Sequence, residues 1–301
     1  MSNVEKFAEI RSRYLKKPFD HEWVRVSKIN YTKAINVVIP LTKTISAPTV
    51  INSELIPEGN GKIFVSNHVG SCDQFNIFCG LGPRPIHFLV KTKLMNVSLS
   101  EYMNLDENNL IFFIDKIGLM LLHADEKQKL ALLTTLGSVL GFTLDEVNLN
   151  DSQSLKALLY DRCQKLLEFK VGKFYRAVGA IEIDENSEIS KGKAFVKMIQ
   201  VLLHGGNVFI FPEGTRNRSG KRLPYDQGAV KLAQLTGAPI EYFSVEDCEN
   251  FRKRRAFVRY GGEMFVGPDE DLAEANQRLE ALTDEGIAEN DKARLRLSLN
   301  Q

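Results

Sequence analysis

Ile63-Phe64-Val65-Ser66-Asn67-His68-Val69-Gly70-Ser71-Cys72-Asp73 is the stretch on which the fold turns. Its first three residues are apolar, two of them β-branched, and read as a short buried strand. Gly70 and Ser71 favour a turn, and Gln74 to Cys79 then has helical character. The stretch opens a strand–turn–helix unit with a histidine in the turn.

The same rhythm continues on both sides. Ile86 to Val90 and Ala180 to Ile183 read as further strands, and a helix from Lys191 to His204 leads to a strand over Val208 to Phe211. A helix over Gln227 to Leu235 and a strand over Pro239 to Val245 follow. Ala256 to Tyr260 and Glu263 to Val266 read as two more strands, and a last helix starts near Asp269. Strands alternating with helices at this spacing predict an α/β fold with a mostly parallel, helix-covered sheet.

One segment breaks the rhythm. Between about Asn96 and Lys173 the apolar periodicity is helical, over Leu110–Ala124, Lys127–Leu140 and Leu155–Phe169, and Thr143 to Glu146 resembles a local helix start. Residues 3–17 read as an amphipathic helix, with Val4, Phe7, Ile10 and Tyr14 on one face and Lys6, Arg11, Arg13, Lys16 and Lys17 mostly elsewhere. Such a helix suits an anionic membrane surface and equally suits docking on the protein itself. Ala34 to Ile39 is apolar but stops at Pro40. The expected organisation is a helical segment at 1–47, an α/β domain at 48–268 interrupted by a helical insertion at 96–172, and a C-terminal helix and tail at 269–301.

Composition narrows the function classes. The net charge of +1 leaves no basic excess to neutralise nucleic-acid phosphates. Cys72, Cys79, Cys163 and Cys248 form no C-x-x-C pair, so they read as free thiols in a reducing cytoplasm rather than as a zinc or redox site. Met1 to Lys17 has no signal-type apolar core. No run reaches the roughly 18 apolar residues of a spanning helix, because Asp115 and Lys116 interrupt Leu110 to Ala124. These features predict a cytoplasmic protein whose contact with membrane, if any, is peripheral.

Two constellations carry chemistry. A hydroxyl needs a base to become a nucleophile at neutral pH, and imidazole titrates near that pH. A carboxylate on the other ring nitrogen would fix the tautomer and stabilise the imidazolium. His68 and Asp73 have these roles available. On one continuous helix a five-residue step would set them about 140° apart, so the pairing requires His68 in the turn and Asp73 in the first helical turn. The second constellation is Phe211-Pro212-Glu213-Gly214-Thr215-Arg216-Asn217-Arg218, followed by Lys221 and Arg222. Gly214 permits close backbone approach, and the guanidinium forks of Arg216 and Arg218 suit phosphate or carboxylate. Taken alone, each has a bland reading: a chance His-x-x-x-x-Asp match, and a solvated basic loop.

Together, Asn67-His68 with Asp73 and Phe211 to Arg216 closely resemble the glycerolipid acyltransferase family, typified by the 1-acylglycerol-3-phosphate acyltransferases. Ile56-Pro57, Lys91-Thr92-Lys93-Leu94 and Gly228-Ala229 also fall where that family has similar residues, and the resemblance covers about 48–95 and 172–268. It implies that His68 is the general base and Asp73 its orienting partner. Glu213, Gly214, Thr215, Arg216 and Arg218 would bind the acceptor, a lysophospholipid at a membrane surface, with Arg216 on its phosphate. The donor would be acyl-CoA or an acyl carrier protein thioester, with no metal or other cofactor and no acyl-enzyme. Three positions depart from the family pattern: Glu185 stands where Arg is usual, Tyr225-Asp226 replace a Phe-Lys pair, and Glu241-Tyr242 replace a second proline. The first two remove positive charge expected near a phosphate. An acceptor that carries no phosphate, or carries an amine, therefore stays open, as does a non-catalytic lipid-binding protein on the same fold.

Overall fold

A computed structural model describes residues 3–45, 47–70, 73–98, 101, 111, 114–115, 117–118, 121, 123–140, 142–148, 151–168, 170–216, 222–247 and 256–299. The chain divides into two compact units, Met1–Thr92 with Tyr175–Gln301, and Lys93–Phe174.

The first unit is built on a sheet. Its strands are β1 (Thr49–Ile51), β2 (Ile63–Ser66), β3 (His87–Lys91), β4 (Ile181–Ile183), β5 (Val208–Ile210), β6 (Ile240–Glu246) and β7 (Phe257–Met264). They lie in the order β1-β7-β6-β2-β5-β3-β4. All pairings are parallel except β6 with β7. A parallel sheet buried on both faces calls for continuous apolar strands, which is why Ile63, Phe64 and Val65 are fully buried and β5 reads Val-Phe-Ile.

The two faces differ in chemistry. Ile63, Val65, Val208, Ile210 and Ile240 pack with Ala194, Met198 and Ile199 of α7 (Glu188–Leu203), Val230 and Ala233 of α8 (Gly228–Thr236) and Leu279 of α9 (Leu272–Leu299). The alternate residues form an aromatic layer. Phe88 stacks on Phe209 at 5.4 Å between ring centres, and Phe78 of α3 (Asp73–Leu81) meets Phe88 edge-on at 5.1 Å. Phe64 and Phe243 extend that layer. Burying one such side chain is worth about 1.5–3 kcal/mol.

The N-terminal segment forms α1 (Asn3–Leu15) and α2 (His21–Ile45). Tyr14 of α1 packs against the aliphatic core, and the Arg11 guanidinium donates to the Leu235 carbonyl at 3.0 Å, so this helix is docked on the protein. Trp23 of α2 lies between the His87 ring at 4.6 Å and the Lys197 ammonium at 3.7 Å. The helix runs through Pro40 and does not stop there. Among the described residues no helix is long and apolar enough to cross a membrane.

The expected pair of strands at 256–260 and 263–266 is one strand, β7. Gly261 and Gly262, between the two stretches read as strands, form a bulge opposite Tyr242, where the register with β6 shifts. Gly262 has a φ of 137°, and a Cβ on Gly261 would collide with the Tyr242 ring. The strand β1 was not anticipated.

The second unit contains α4 (Glu126–Leu140) and α5 (Ser152–Leu167), and α6 (Val171–Ala177) carries the chain out of it. Within Leu110 to Ala124, the described residues Ile111, Ile114, Asp115, Ile117, Gly118, Leu121 and His123 have helical backbone. Ile117 and Leu121 are buried, and Leu110 and Phe113 lie outside the described residues. The helix start read at Thr143 is a single 3-10 turn, Leu144–Glu146, closed by a Thr143–Glu146 capping box.

Candidate active site

The register of the sheet builds the site. β2 and β5 pair as Phe64 with Phe209 and Val65 with Ile210. Period-2 alternation then puts Ser66, His68 and Phe211 on the aromatic face. The chain leaves β2 at Asn67, whose buried carboxamide donates to the Val245 carbonyl and accepts the Val245 N–H, both at 2.8 Å. One side chain thereby extends the β2–β6 ladder by a rung and fixes where the next residue starts.

That residue is His68, and the turn after it folds back on Asp73. His68 Nδ1 lies 2.7 Å from Asp73 Oδ2. The fully buried carboxylate also accepts the Val69 N–H at 2.7 Å and the Gly70 N–H at 3.0 Å. Because Asp73 is an acceptor for these main-chain donors, the proton on the shared edge belongs to Nδ1, and Nε2 is the basic nitrogen. The His68 side chain keeps 16% of its surface exposed. Its ring stacks on Phe211 at 4.1 Å between centres and 18° between planes. Ser71 and Cys72 of this turn lie outside the described residues.

The basic loop starts beside this ring. Glu213 is buried, with Oε1 accepting the His68 N–H at 3.0 Å and Oε2 accepting the Leu223 N–H at 3.4 Å. Burial pushes its carboxyl above the usual range, while the N–H donors and Arg222 pull the other way. Gly214, at a φ of 66°, and Thr215 are exposed, and Arg216 is half-buried. Arg218 and Lys221 lie outside the described residues, as does the run from Arg252 to Arg255. Arg222 was read as additional positive charge near a ligand. It is instead tied to the Asp284 carboxylate and lies over the Tyr225 ring at 4.6 Å.

Each departure from the family pattern has a structural partner. Glu185 forms an ion pair with Lys91 at the end of β3. Tyr225 is buried and its N–H donates to Glu280 at 2.6 Å, while Asp226 accepts the Gly228 N–H at the start of α8 at 2.8 Å. Glu241 is fully buried, taking the Lys62 ammonium at 2.7 Å and the Tyr260 hydroxyl at 2.6 Å. It stands near the start of β6, away from His68. Histidines other than His68 fit structural roles where they are bonded. His87 Nδ1 meets the Gly179 carbonyl and His204 Nδ1 the Gln200 carbonyl, each at 2.8 Å. Burial raises the Cys79 and Cys163 thiols to about 11, which leaves them inert.

Sequence reasoning named His68, Asp73 and the Glu213–Arg216 run and missed the structural roles of Asn67 and Phe211. The period-2 continuation of β2 and β5 was the available signal for Phe211. The Asn67 bonds depend on the β2–β6 register, which no local pattern reveals.

Comparison with known proteins bears on this arrangement. A family model described as Acyltransferase matches residues 144–242, which include Glu213–Arg216 and not His68. A 1-acyl-sn-glycerol-3-phosphate acyltransferase of Borreliella burgdorferi is 33% identical over 89 residues, 30% of this chain and 36% of that protein. Over these stretches the chain is similar to glycerolipid acyltransferases. The chloroplastic 1-acyl-sn-glycerol-3-phosphate acyltransferase BAT2 of Brassica napus is 30% identical over 63 residues, 21% of this chain and 18% of that one. The matches thus span about a third or less of these curated acyltransferases. The crystal structure of the 1-acyl-sn-glycerophosphate (LPA) acyltransferase PlsC from Thermotoga maritima shares the acyltransferase fold, with a TM-score of 0.53 at 15% identity over 94% of this chain and 88% of that one.

Proposed function

We propose that this chain transfers a fatty acyl group from an acyl-CoA or acyl carrier protein thioester to the hydroxyl of a lysophospholipid resembling 1-acylglycerol 3-phosphate. The observation that carries the reading is the 2.7 Å contact between His68 Nδ1 and a fully buried Asp73. It leaves Nε2 as a base at the C-terminal end of a parallel strand, the usual place for a ligand in such sheets.

Nε2 takes the proton of the acceptor hydroxyl as its oxygen forms the new bond to the thioester carbonyl carbon. The tetrahedral intermediate then breaks its C–S bond. The leaving thiolate takes the proton from Nε2 and returns His68 to its neutral form. Asp73 stabilises the imidazolium between these steps and fixes its tautomer. The Val69 and Gly70 N–H groups are committed to Asp73, so their task is to hold the turn. No metal or other cofactor takes part in these steps.

Arg216 beside the site supports an anionic acceptor, with Gly214, Thr215 and Arg218 as its neighbours in the loop. Lys91 takes up the negative charge of Glu185, so that carboxylate is not an obstacle to phosphate. A lipid acceptor also supports work at the cytoplasmic membrane face, with the exposed Val4 and Leu15 and basic Lys16 and Lys17 of the N-terminal segment as contacts.

The test is a panel of lysolipids offered to the purified protein with a labelled acyl thioester. The reading expects lysophosphatidic acid to be acylated with the highest kcat/KM. Preference for an amine-bearing lysolipid would assign the amino-lipid acceptor instead, and binding without transfer would make the chain a lipid-binding protein.

A further inference from the structure

We propose that Glu213 is a positioning residue that fixes the His68 main chain, and not a ligand of the acceptor. The inference rests on the reading of His68 as the base.

The sheet ladder ends before His68. The β2–β5 pairing stops at Val65 with Ile210, and the β2–β6 pairing stops at Ser66 with Phe243, with the Asn67 carboxamide adding one further rung. The His68 N–H lies beyond the last paired residue of β2, and leaving such a half-buried amide without an acceptor is costly. Glu213 Oε1 meets it at 3.0 Å. Its other oxygen faces the Leu223 N–H at 3.4 Å, so one carboxylate joins the turn to the return of the basic loop. Glu213 is buried, whereas Gly214 and Thr215 beside it are exposed, so the motif splits at this point into a part turned inward and a part turned to solvent.

Electrostatics argue the same way. A carboxylate aimed at an acceptor phosphate would repel it, but one that accepts two main-chain N–H groups is well used where it lies. His68 is then constrained from three sides: Asp73 on Nδ1, Phe211 on the ring face and Glu213 on the main chain. Movement of the loop carrying Arg216 would reach the base through Glu213 without direct contact between them.

The experiment compares Glu213→Gln with the wild-type full chain in two ways. The chain has five histidines, so 15N-histidine labelling gives at most five amide signals, and His68→Ala identifies the one from His68. With a carboxamide at 213 that amide signal should move, while the distant His204 amide should not. In steady-state transfer from acyl-CoA, kcat should fall about 10- to 100-fold, with the KM for lysophosphatidic acid within about threefold. Glu213→Asp keeps the charge but is a methylene shorter and should behave like Glu213→Gln, which also supplies the readouts should Glu213→Gln fail to fold.

A tenfold or greater rise in acceptor KM with kcat retained would overturn the proposal, as would an unmoved His68 amide or unchanged kinetics. A wild-type protein with no transferase activity would instead refute the functional reading, while the amide signal still judges the Glu213 contact.

Discussion

Asp73→Asn keeps the size of the side chain and removes its charge. Asp73 Oδ2 serves His68 Nδ1 and the Val69 N–H at 2.7 Å each, and the Gly70 N–H lies 3.0 Å from both oxygens. An asparagine offers one acceptor oxygen to these three donors, and its NH2 must face at least one of them. If the NH2 takes the place of Oδ2, it points at Nδ1 and forces it to become the acceptor, and the Val69 N–H loses its partner. The ring proton then sits on Nε2, which can no longer take the hydroxyl proton. Losing the proper tautomer and the charge behind it should lower kcat about 10²- to 10⁴-fold. Stability should fall by about 1–3 kcal/mol for the one donor left poorly paired, a loss of several degrees in Tm. Transfer of a labelled acyl group and thermal unfolding on the same preparation separate the two effects. An Asp73→Asn protein with wild-type kcat would refute the argument from tautomer and charge.

Phe211→Ala removes the ring stacked on His68 and should lower kcat about tenfold through a less confined imidazole, with lysolipid KM little changed in the same assay. Lys62→Met leaves the fully buried Glu241 without its cation and should cost about 3–5 kcal/mol in denaturant unfolding, part of it recovered when Glu241→Gln is added. Glu246 is pushed up to about 7, by burial first and by Asp291 and Asp247, against the pull of Arg294. The folded state thus holds a proton that the unfolded state releases near the ordinary value of 4.5, so its contribution to stability declines as pH rises from about 5 to 7. Glu246→Gln should flatten that part of the stability–pH curve and be relatively more stable at pH 8, as read by chemical denaturation across pH.

The sequence made the sheet legible where strands are buried on both faces, because Ile63 to Val65 and Val208 to Ile210 can be little else. Thr49 to Ile51 was missed because three residues with no periodicity become a strand only through pairing with β7. Ala256 to Tyr260 and Glu263 to Val266 read as two strands, since the local pattern cannot show that Tyr242 from another strand fills the space above Gly261 and Gly262. At the site, His68 and Asp73 could be paired from one short segment. Glu213, Asn67 and Phe211 act across strand pairings with sequence separations of more than a hundred residues, and their roles emerge only from the register.

His68 is the residue on which the proposed transfer most directly depends. Purified wild-type and His68→Ala proteins, matched for folding by thermal unfolding, should be given a labelled acyl thioester and lysophosphatidic acid. The account predicts transfer by the wild type and a loss of at least about 10²-fold in kcat for His68→Ala, with little change in Tm. Acylation by His68→Ala at the wild-type rate would contradict it.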